Sequence, residues 1–377
     1  MRTKTGVGEG RVIVQTTSKP ELGFLTNVQA VTCNVKPTFC RIRVSDVDSW
    51  LGKMNELKTH SNSHWVFRGQ SKAKSTISSY LDRLVFNEDD VKNLNIRRFP
   101  IALFKDVFAA VERKLLGVER GLMKAFSENI QQNLTAEEMP KTQLEWVALM
   151  QHYGVPTRLI DFSRNPDVAL FFASRPDYET DYSVWIVNTE RNSIVNQSLS
   201  YSNDNARWAD MDNLEIANEI FTRPIEELCD IAQNSLCMMK IEPRNPNKRM
   251  VAQDGLFMMP ISLAVPVEAT FYNSVAEVTL AQMLKDENGE YVSKPIAWDV
   301  ASSKWDALND FKAIQFIFDK QTRGAAGSIL SKRGITTHKL FPDATIDKTA
   351  SFIKEDYECK LKNEQFLKKL GELYWWV

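Results

Sequence analysis

The spacing of apolar positions is most regular between Thr142 and Arg175, TQLEWVALMQHYGVPTRLIDFSRNPDVALFFASR, and predicts two helices flanking one short strand. Leu144, Val147, Ala148 and Met150, with Trp146 alongside, give the first helix an apolar face. Gly154 falls where a left-handed cap ends it, and Pro156 bars continuation. Arg158 to Phe162 then reads as a strand with two opposite charges, Arg158 and Asp161, in a segment otherwise suited to burial. Ser163 or Asn165 caps the next helix, with Pro166 in its first turn ahead of the apolar run Val168 to Ala173.

The rest of the chain is arranged around this stretch. Ser45 to Leu57 predicts a helix capped by Ser45, with Asp48 at the third helical position. Trp65 to Gln70 predicts a brief strand in which Arg68 is followed by Gly69, a residue that lets backbone come close to a neighbour. Residues 98–131 have the pattern of a long core helix, weakened at Gly117 and Gly121, where it can split. Further strands are expected over Ser183–Val187, Ser235–Ile241, Leu256–Met259 and Glu268–Tyr272, and helices over Glu215–Ala232, Asn309–Lys320 and a segment ending near Gly334. Asn188 to Asn213 is polar, a candidate loop or lid, with Tyr201 and Trp208 its large aromatics. Residues 1–44, including a candidate strand Arg11–Gln15, read as an N-terminal arm or small addition, and residues 356–377 as a helical tail ending in Tyr374, Trp375 and Trp376.

Composition narrows the class without naming an activity. A chain of 377 residues with 43% hydrophobic residues has ample material for a core. Its 47 basic and 48 acidic residues, formal net charge -1, argue against a globally basic nucleic-acid binder but allow local patches. No run approaches the roughly 20 apolar residues that cross a bilayer, and MRTKTGVGEGRVIVQ lacks the apolar core of a secretory signal, so a cytoplasmic protein without a membrane partner is expected. Cys33, Cys40, Cys229, Cys237 and Cys359 are scattered and odd in number, which points to reduced thiols and no metal site.

Several residues are candidates for chemistry. Asp161, beside a helix start, belongs either to a buried pair with Arg158, the reading residue types favour, or to a pocket. His152 and Tyr153 end the preceding helix, where a histidine serves either as a base or as a satisfied structural group. Arg68 either pairs with a carboxylate or holds a phosphate through its planar fork of donors. Arg244, Lys248 and Arg249 form a charged turn before a strand, or supply phosphate contacts for a single strand that also stacks on Tyr201 and Trp208.

Read together, WVFRGQ, QHYGVPTRLIDFSRNPDVALFFA, RMVAQDGLF and GITTHKLFPD resemble the FRG domain family, named for its Phe-Arg-Gly motif; the resemblance spans roughly residues 45–355. A more distant resemblance is to the ADP-ribosyltransferase fold. It implies an α+β protein, a mixed β core with several surrounding helices, and an enzyme that uses NAD as substrate without a metal. Carried over, Arg68, Gly69, Arg158, Ser163 and Tyr153 would bind the dinucleotide. Gln253, standing where that fold has an acidic residue, would act in catalysis with Asp161, and His152 would serve as base. The family context implies an intracellular toxin or phage-defence effector, partnered by an antitoxin or other regulator. Its macromolecular acceptor would be nucleic acid, RNA or DNA, in preference to protein, with Arg244, Lys248 and Arg249 as contacts. The alternative is a non-catalytic nucleotide- or nucleic-acid-binding module. Both readings require Arg68, Asp161 and Gln253 to converge on one open pocket.

Overall fold

A mixed eight-stranded sheet organises the computed structural model, which describes residues 39–59, 64–75, 77–85, 105–175, 178–189, 211–226, 228, 238–268, 270–271, 296–297 and 312–342. In chain order its elements are β1 (Phe39–Val44), α1 (Val47–Thr59), β2 (Trp65–Gln70), α2 (Tyr80–Val85), α3 (Lys105–Ile130), α4 (Gln143–His152), β3 (Ile160–Ser163), α5 (Pro166–Ala173), β4 (Tyr182–Asn188), α6 (Asn213–Thr222), β5 (Met238–Ile241), α7 (Lys248–Ala252), β6 (Gly255–Pro260), β7 (Ile296–Ala297), β8 (Ala313–Phe318), α8 (Arg323–Lys332) and α9 (Thr337–Leu340). The strand order is β5-β6-β3-β2-β4-β8-β1-β7. Pairing is antiparallel from β5 through to β8 and parallel from β8 to β1 and β7. The fold is therefore a mixed α/β arrangement with a mixed sheet.

Two groups of helices cover one face of this sheet. Over β1, β8, β4 and β2 lie α1, α5 and α8, packed on Ile42, Phe67, Ile186, Phe316 and Phe318. Trp50 of α1 meets Phe316 and Phe318 edge-on at 5.5 and 5.0 Å. Over β5 and β6 lie α3, α4 and α6, packed on Met239, Ile241, Phe257 and Met259. The other face carries Val66, Ile160, Phe162, Trp185, Leu256 and Met258 beneath Ile77, Val267 and Phe271. Between the two helix groups runs β3, the only strand flanked by α4 before it and α5 after it.

α3 fastens the second group through two buried carboxylates seven residues apart, and so on one helix face. Glu119 receives Arg158 Nε at 3.0 and 2.9 Å and Nη2 at 2.5 Å, while Arg158 Nη1 donates to the Ile261 carbonyl at 2.8 Å. Glu112 accepts from the Ser262 hydroxyl at 2.9 Å and from the Leu263 and Ala264 amides at 2.9 and 2.8 Å. Burial pushes the Glu112 carboxyl upward, against the pull of Arg158 and these hydrogen bonds. Arg158 and Glu119 are each at most 1% exposed, so neither charge has water to fall back on.

The structure redraws several sequence expectations. Asn309–Lys320, expected as a helix, contains strand β8, every residue of which is buried. An apolar run buried on both faces has no alternation, so periodicity alone does not separate it from a core helix. Glu268–Tyr272, expected as a strand, turns helically where described, the Thr270 N–H donating to the Pro266 carbonyl at 3.1 Å. The first helix is capped by Asp46, whose Oδ1 accepts from the amides of Asp48 and Ser49, and not by Ser45. α3 runs unbroken through Gly117 and Gly121. Phe39–Val44, assigned to an arm, is an interior strand of the sheet, and Lys248–Ala252, expected as a turn, is a short helix. Arg11–Gln15, Tyr201, Trp208 and residues 356–377 lie outside the described residues, as do Cys33, Cys229, Cys237 and Cys359; Cys40 is a buried free thiol. Among the described residues no helix is long and apolar enough to cross a membrane.

Glu119→Ala leaves Arg158 buried without its counter-charge, and is expected to cost about 3–5 kcal/mol of stability. Urea unfolding of the full chain measures this; a loss within ordinary surface-mutation scatter would show that the pair does not hold α3.

Candidate functional site

β2 pairs with β4 along its whole length but with β3 through one bridge, Phe67 opposite Ser163. Beyond that bridge Arg68, Gly69 and Gln70 have no ladder partner on β3, and the sheet parts. The Arg68 guanidinium reaches across, Nη1 donating to the Asp161 carbonyl at 2.6 Å, and lies 6.0 Å from the Phe162 ring centroid. Gly69 sits under α5, where a Cβ would fall on the Ala169 carbonyl oxygen and 2.7 Å from the Ala173 nitrogen. The Phe-Arg-Gly sequence thus has three separate duties. Phe67 is core, Arg68 spans the parting, and Gly69 admits a helix onto the strand.

The parting opens into a cleft of about 610 Å³ lined by Arg68, Gly69, His152, Asp161, Ser163, Arg249 and Gln253 among others. Arg158, Tyr153, Arg244 and Lys248 are not part of it. Arg158 is withdrawn into the core by Glu119, so it neither pairs with Asp161 nor reaches a ligand. The expected Arg158–Asp161 pair is replaced because residues 158 and 161 straddle the start of β3 and their side chains leave in different directions. Tyr153 packs against Phe126, ring centroids 5.8 Å apart, at the rim of the helical core. Arg244 and Lys248 are exposed outside the cleft, and of the three cations nominated for nucleic acid only Arg249 turns inward.

Local capping positions each cleft residue. Thr142 caps α4, Gly154 ends it at φ 76°, and Asn165 with Pro166 starts α5. β3 is thereby held between two defined turns. The Asp161 Oδ2 accepts from Gln151 Nε2 at 3.0 Å, and Gln151 Oε1 in turn accepts from the Thr157 hydroxyl. The Ser163 hydroxyl donates to the Gln253 carbonyl at 2.7 Å and accepts from the Asn165 amide at 2.9 Å, clamping β3 to the turn before β6. Gln253 Nε2 donates to the Leu340 carbonyl at 3.1 Å. Its neighbour Asp254, at φ 48°, turns away to Lys58 at 3.3 Å. Arg249 Nη1 donates to the His152 carbonyl at 3.2 Å, and its guanidinium lies 4.5 Å from the Phe341 ring centroid.

The electrostatics of the cleft are one-sided. Among the described residues Arg68, Lys72, Arg83, Arg175 and Arg249 line it against a single carboxylate, Asp161. Burial lowers the Arg68 guanidinium to about 10, with Asp161 opposing and the charge of Arg83 reinforcing the shift; burial likewise lowers Arg249. Lys72, Arg83, Arg175 and Gln151 were missed by the sequence reading. Lys72, Arg83 and Arg175 sit in or just after short segments, Gln151 is a polar position in the last turn of α4, and no local signal marks any of them as a cleft residue. Among the described residues no group of three or more His, Cys, Asp or Glu is placed to hold a metal ion.

Residues 63–181 match the FRG domain family. The chain carries an FRG domain. The matched segment contributes Arg68, Gly69, His152, Asp161 and Ser163 to the cleft, whereas Arg249 and Gln253 come from beyond it. No curated protein and no solved structure matches the chain.

The wall of the FRG domain bearing Arg83 is pinned by Asp82, whose Oδ1 accepts from the Val267 amide at 2.9 Å. Burial is the first cause raising the Asp82 carboxyl from 3.8 to about 7, offset by the Val267 N–H and Arg83 and reinforced by Glu268. A carboxyl raised in the folded state binds protons there more tightly than in the unfolded chain. Its stabilising contribution is complete below the ordinary value and is lost as pH rises through about 7. Asp82→Asn keeps an acceptor for Val267 and removes the titration. The gap in urea midpoint between variant and wild type should therefore shift in the variant's favour from pH 4 to pH 8; a pH-independent gap would contradict the assignment.

Proposed function

We propose that the FRG domain cleft binds NAD and that the protein is an ADP-ribosyltransferase acting on a macromolecular acceptor, nucleic acid in preference to protein. The observation that carries this reading is the convergence of Arg68, Asp161, Ser163 and Gln253, from three separate stretches of sequence, on one cationic cleft. Its volume lies within the range of small-molecule sites, roughly 300–1,000 Å³, and its excess of guanidinium groups suits a pyrophosphate. On this reading the core has the ADP-ribosyltransferase arrangement, with the substrate in the parting of the sheet.

The reaction breaks the bond between C1 of the ribose and the nicotinamide nitrogen, the electron pair leaving with nicotinamide. Positive charge develops on the ribose and is best met by an acceptor fixed in advance. Asp161 is the carboxylate in the cleft, oriented by Gln151, and takes this role. Gln253, its amide nitrogen engaged by Leu340, offers Oε1 to a ribose hydroxyl. An acceptor hydroxyl then attacks C1 and gives its proton to His152. Arg249 works inside the cleft on substrate phosphate, and Arg244 and Lys248 remain on the outer surface as contacts for an acceptor strand. Among the described residues no glutamate lines the cleft, which favours a second reading, a module that binds the nucleotide without turning it over. A toxin or phage-defence role under control of an antitoxin accompanies the family resemblance.

Labelled NAD incubated with the full chain and RNA, DNA or lysate tests the proposal. Wild type should release nicotinamide and label an acceptor, Arg68→Ala should raise KM, and Asp161→Asn should lower kcat by about 10²-fold. A wild type that binds NAD but neither releases nicotinamide nor labels any acceptor supports the binding module instead.

A further inference from the structure

Beside the main cleft lies a recess of about 190 Å³, and the two share Arg68, Ser78, Arg83, Gln151 and Asp161. Val155, Leu159 and Ile160, all buried, form its apolar side. The volume is below the roughly 300 Å³ at which whole small-molecule sites begin, so the recess suits one group of a ligand.

Two guanidinium groups meet here with one carboxylate, Asp161, among the described lining residues. Arg68 engages Asp161 through its carbonyl and not its carboxylate, whose Oδ2 is taken by Gln151. The Arg68 Nε is buried and has no hydrogen-bond partner among the described residues. Arg83 donates through Nη1 to the Ser78 carbonyl at 3.1 Å and lies 5.3 Å from the Tyr80 ring centroid, covering that ring's face. A buried N–H without an acceptor and a pair of like charges are both costly, and one bound anion relieves both. An uncharged aromatic ring would fit the space but would relieve neither.

We propose that this recess is a subsite for a phosphomonoester, gripped by Arg68 and Arg83 with the Ser78 and Ser79 hydroxyls as neutral donors. The bridging diphosphate of a dinucleotide needs room for a substituent on each side, which so small a recess does not provide, so the phosphate it takes is a terminal one. The group comes either from a 2′-phosphorylated dinucleotide or from the 5′ end of a nucleotide. The inference rests on the cleft being the ligand site of the proposed function, but not on transfer of ADP-ribose.

Calorimetry on the full chain with inorganic phosphate, and then with the pairs AMP and adenosine, NADP and NAD, tests it. Inorganic phosphate should bind and compete with AMP, and the phosphorylated member of at least one pair should bind about ten-fold or more tighter. Arg83 is exposed, so Arg83→Gln should fold and lose that advantage, while Arg83→Lys retains part of it. Whichever pair shows the Arg83-dependent gain names the source of the phosphate. Failure of inorganic phosphate to bind, or equal binding by wild type and Arg83→Gln, overturns the subsite. That failure alongside intact NAD turnover leaves the proposed activity standing, and Arg83-dependent phosphate binding without NAD turnover does the reverse.

Discussion

The buried Arg158–Glu119 pair is the constraint on which the rest of the structure depends. A charge without water must keep its partner, because an uncompensated one costs more than almost any other local error in a fold. Arg158 stands two residues before β3, Glu119 lies in the middle of α3, and the Arg158 guanidinium also takes the carbonyl of Ile261 just past β6. One side chain therefore fixes where α3 lies, where β6 ends and where β3 begins. Asp161 follows three residues later, and its place in the cleft is set by this buried grip before any contact of its own.

Anchored in this way, β3 cannot follow β2. It is held on one side by β6, paired along its full length, while β2 is held on the other by β4 and drawn close beneath α5 by Gly69. The two strands keep one bridge and then separate, and the space between them is the cleft. Arg68 crosses the opening with a hydrogen bond to backbone that would otherwise have gone to a neighbouring strand. Cleft and motif are consequences of the same competition between two well-packed halves of a sheet.

The parts of this that the sequence disclosed are those with local causes. The caps at Gly154 and Asn165 depend on nearby backbone geometry; Gly154 is where the residue types place it, and Asn165 is one of the two positions they offer. The close approach at Gly69 was legible as a need, though not its object, α5. Non-local partners were not legible. Residue types favoured Asp161 for Arg158 because it lies three positions away, whereas the partner comes from α3, 39 positions back. β8 was mistaken for a helix because a strand buried on both faces loses the alternation that identifies strands. The fold resemblance implies Ser163 as a ligand contact; its hydroxyl is bound to backbone on both counts, so what it visibly does for the cleft is hold β3 against the turn at Gln253. Arg83 and Lys72 enter the cleft from segments too short to show any period at all.

The span matched to the FRG domain, residues 63–181, is for the same reasons not a unit that could fold by itself. It contains β2 and β3 but stops before β4, to which β2 is paired, and long before β6, to which β3 is paired. Cut there, both strands would present open edges, and Arg158 would lose the carbonyl of Ile261. One wall of the cleft would go too, since Arg249 comes from α7 and Gln253 from the turn between α7 and β6. The matched segment is better understood as the part of the chain on which the cleft makes its strictest demands: a glycine that must admit a helix, an arginine that must span a gap, and a carboxylate delivered by a buried charge. The strands that complete the sheet need only be apolar and of the right length, and many sequences meet that condition.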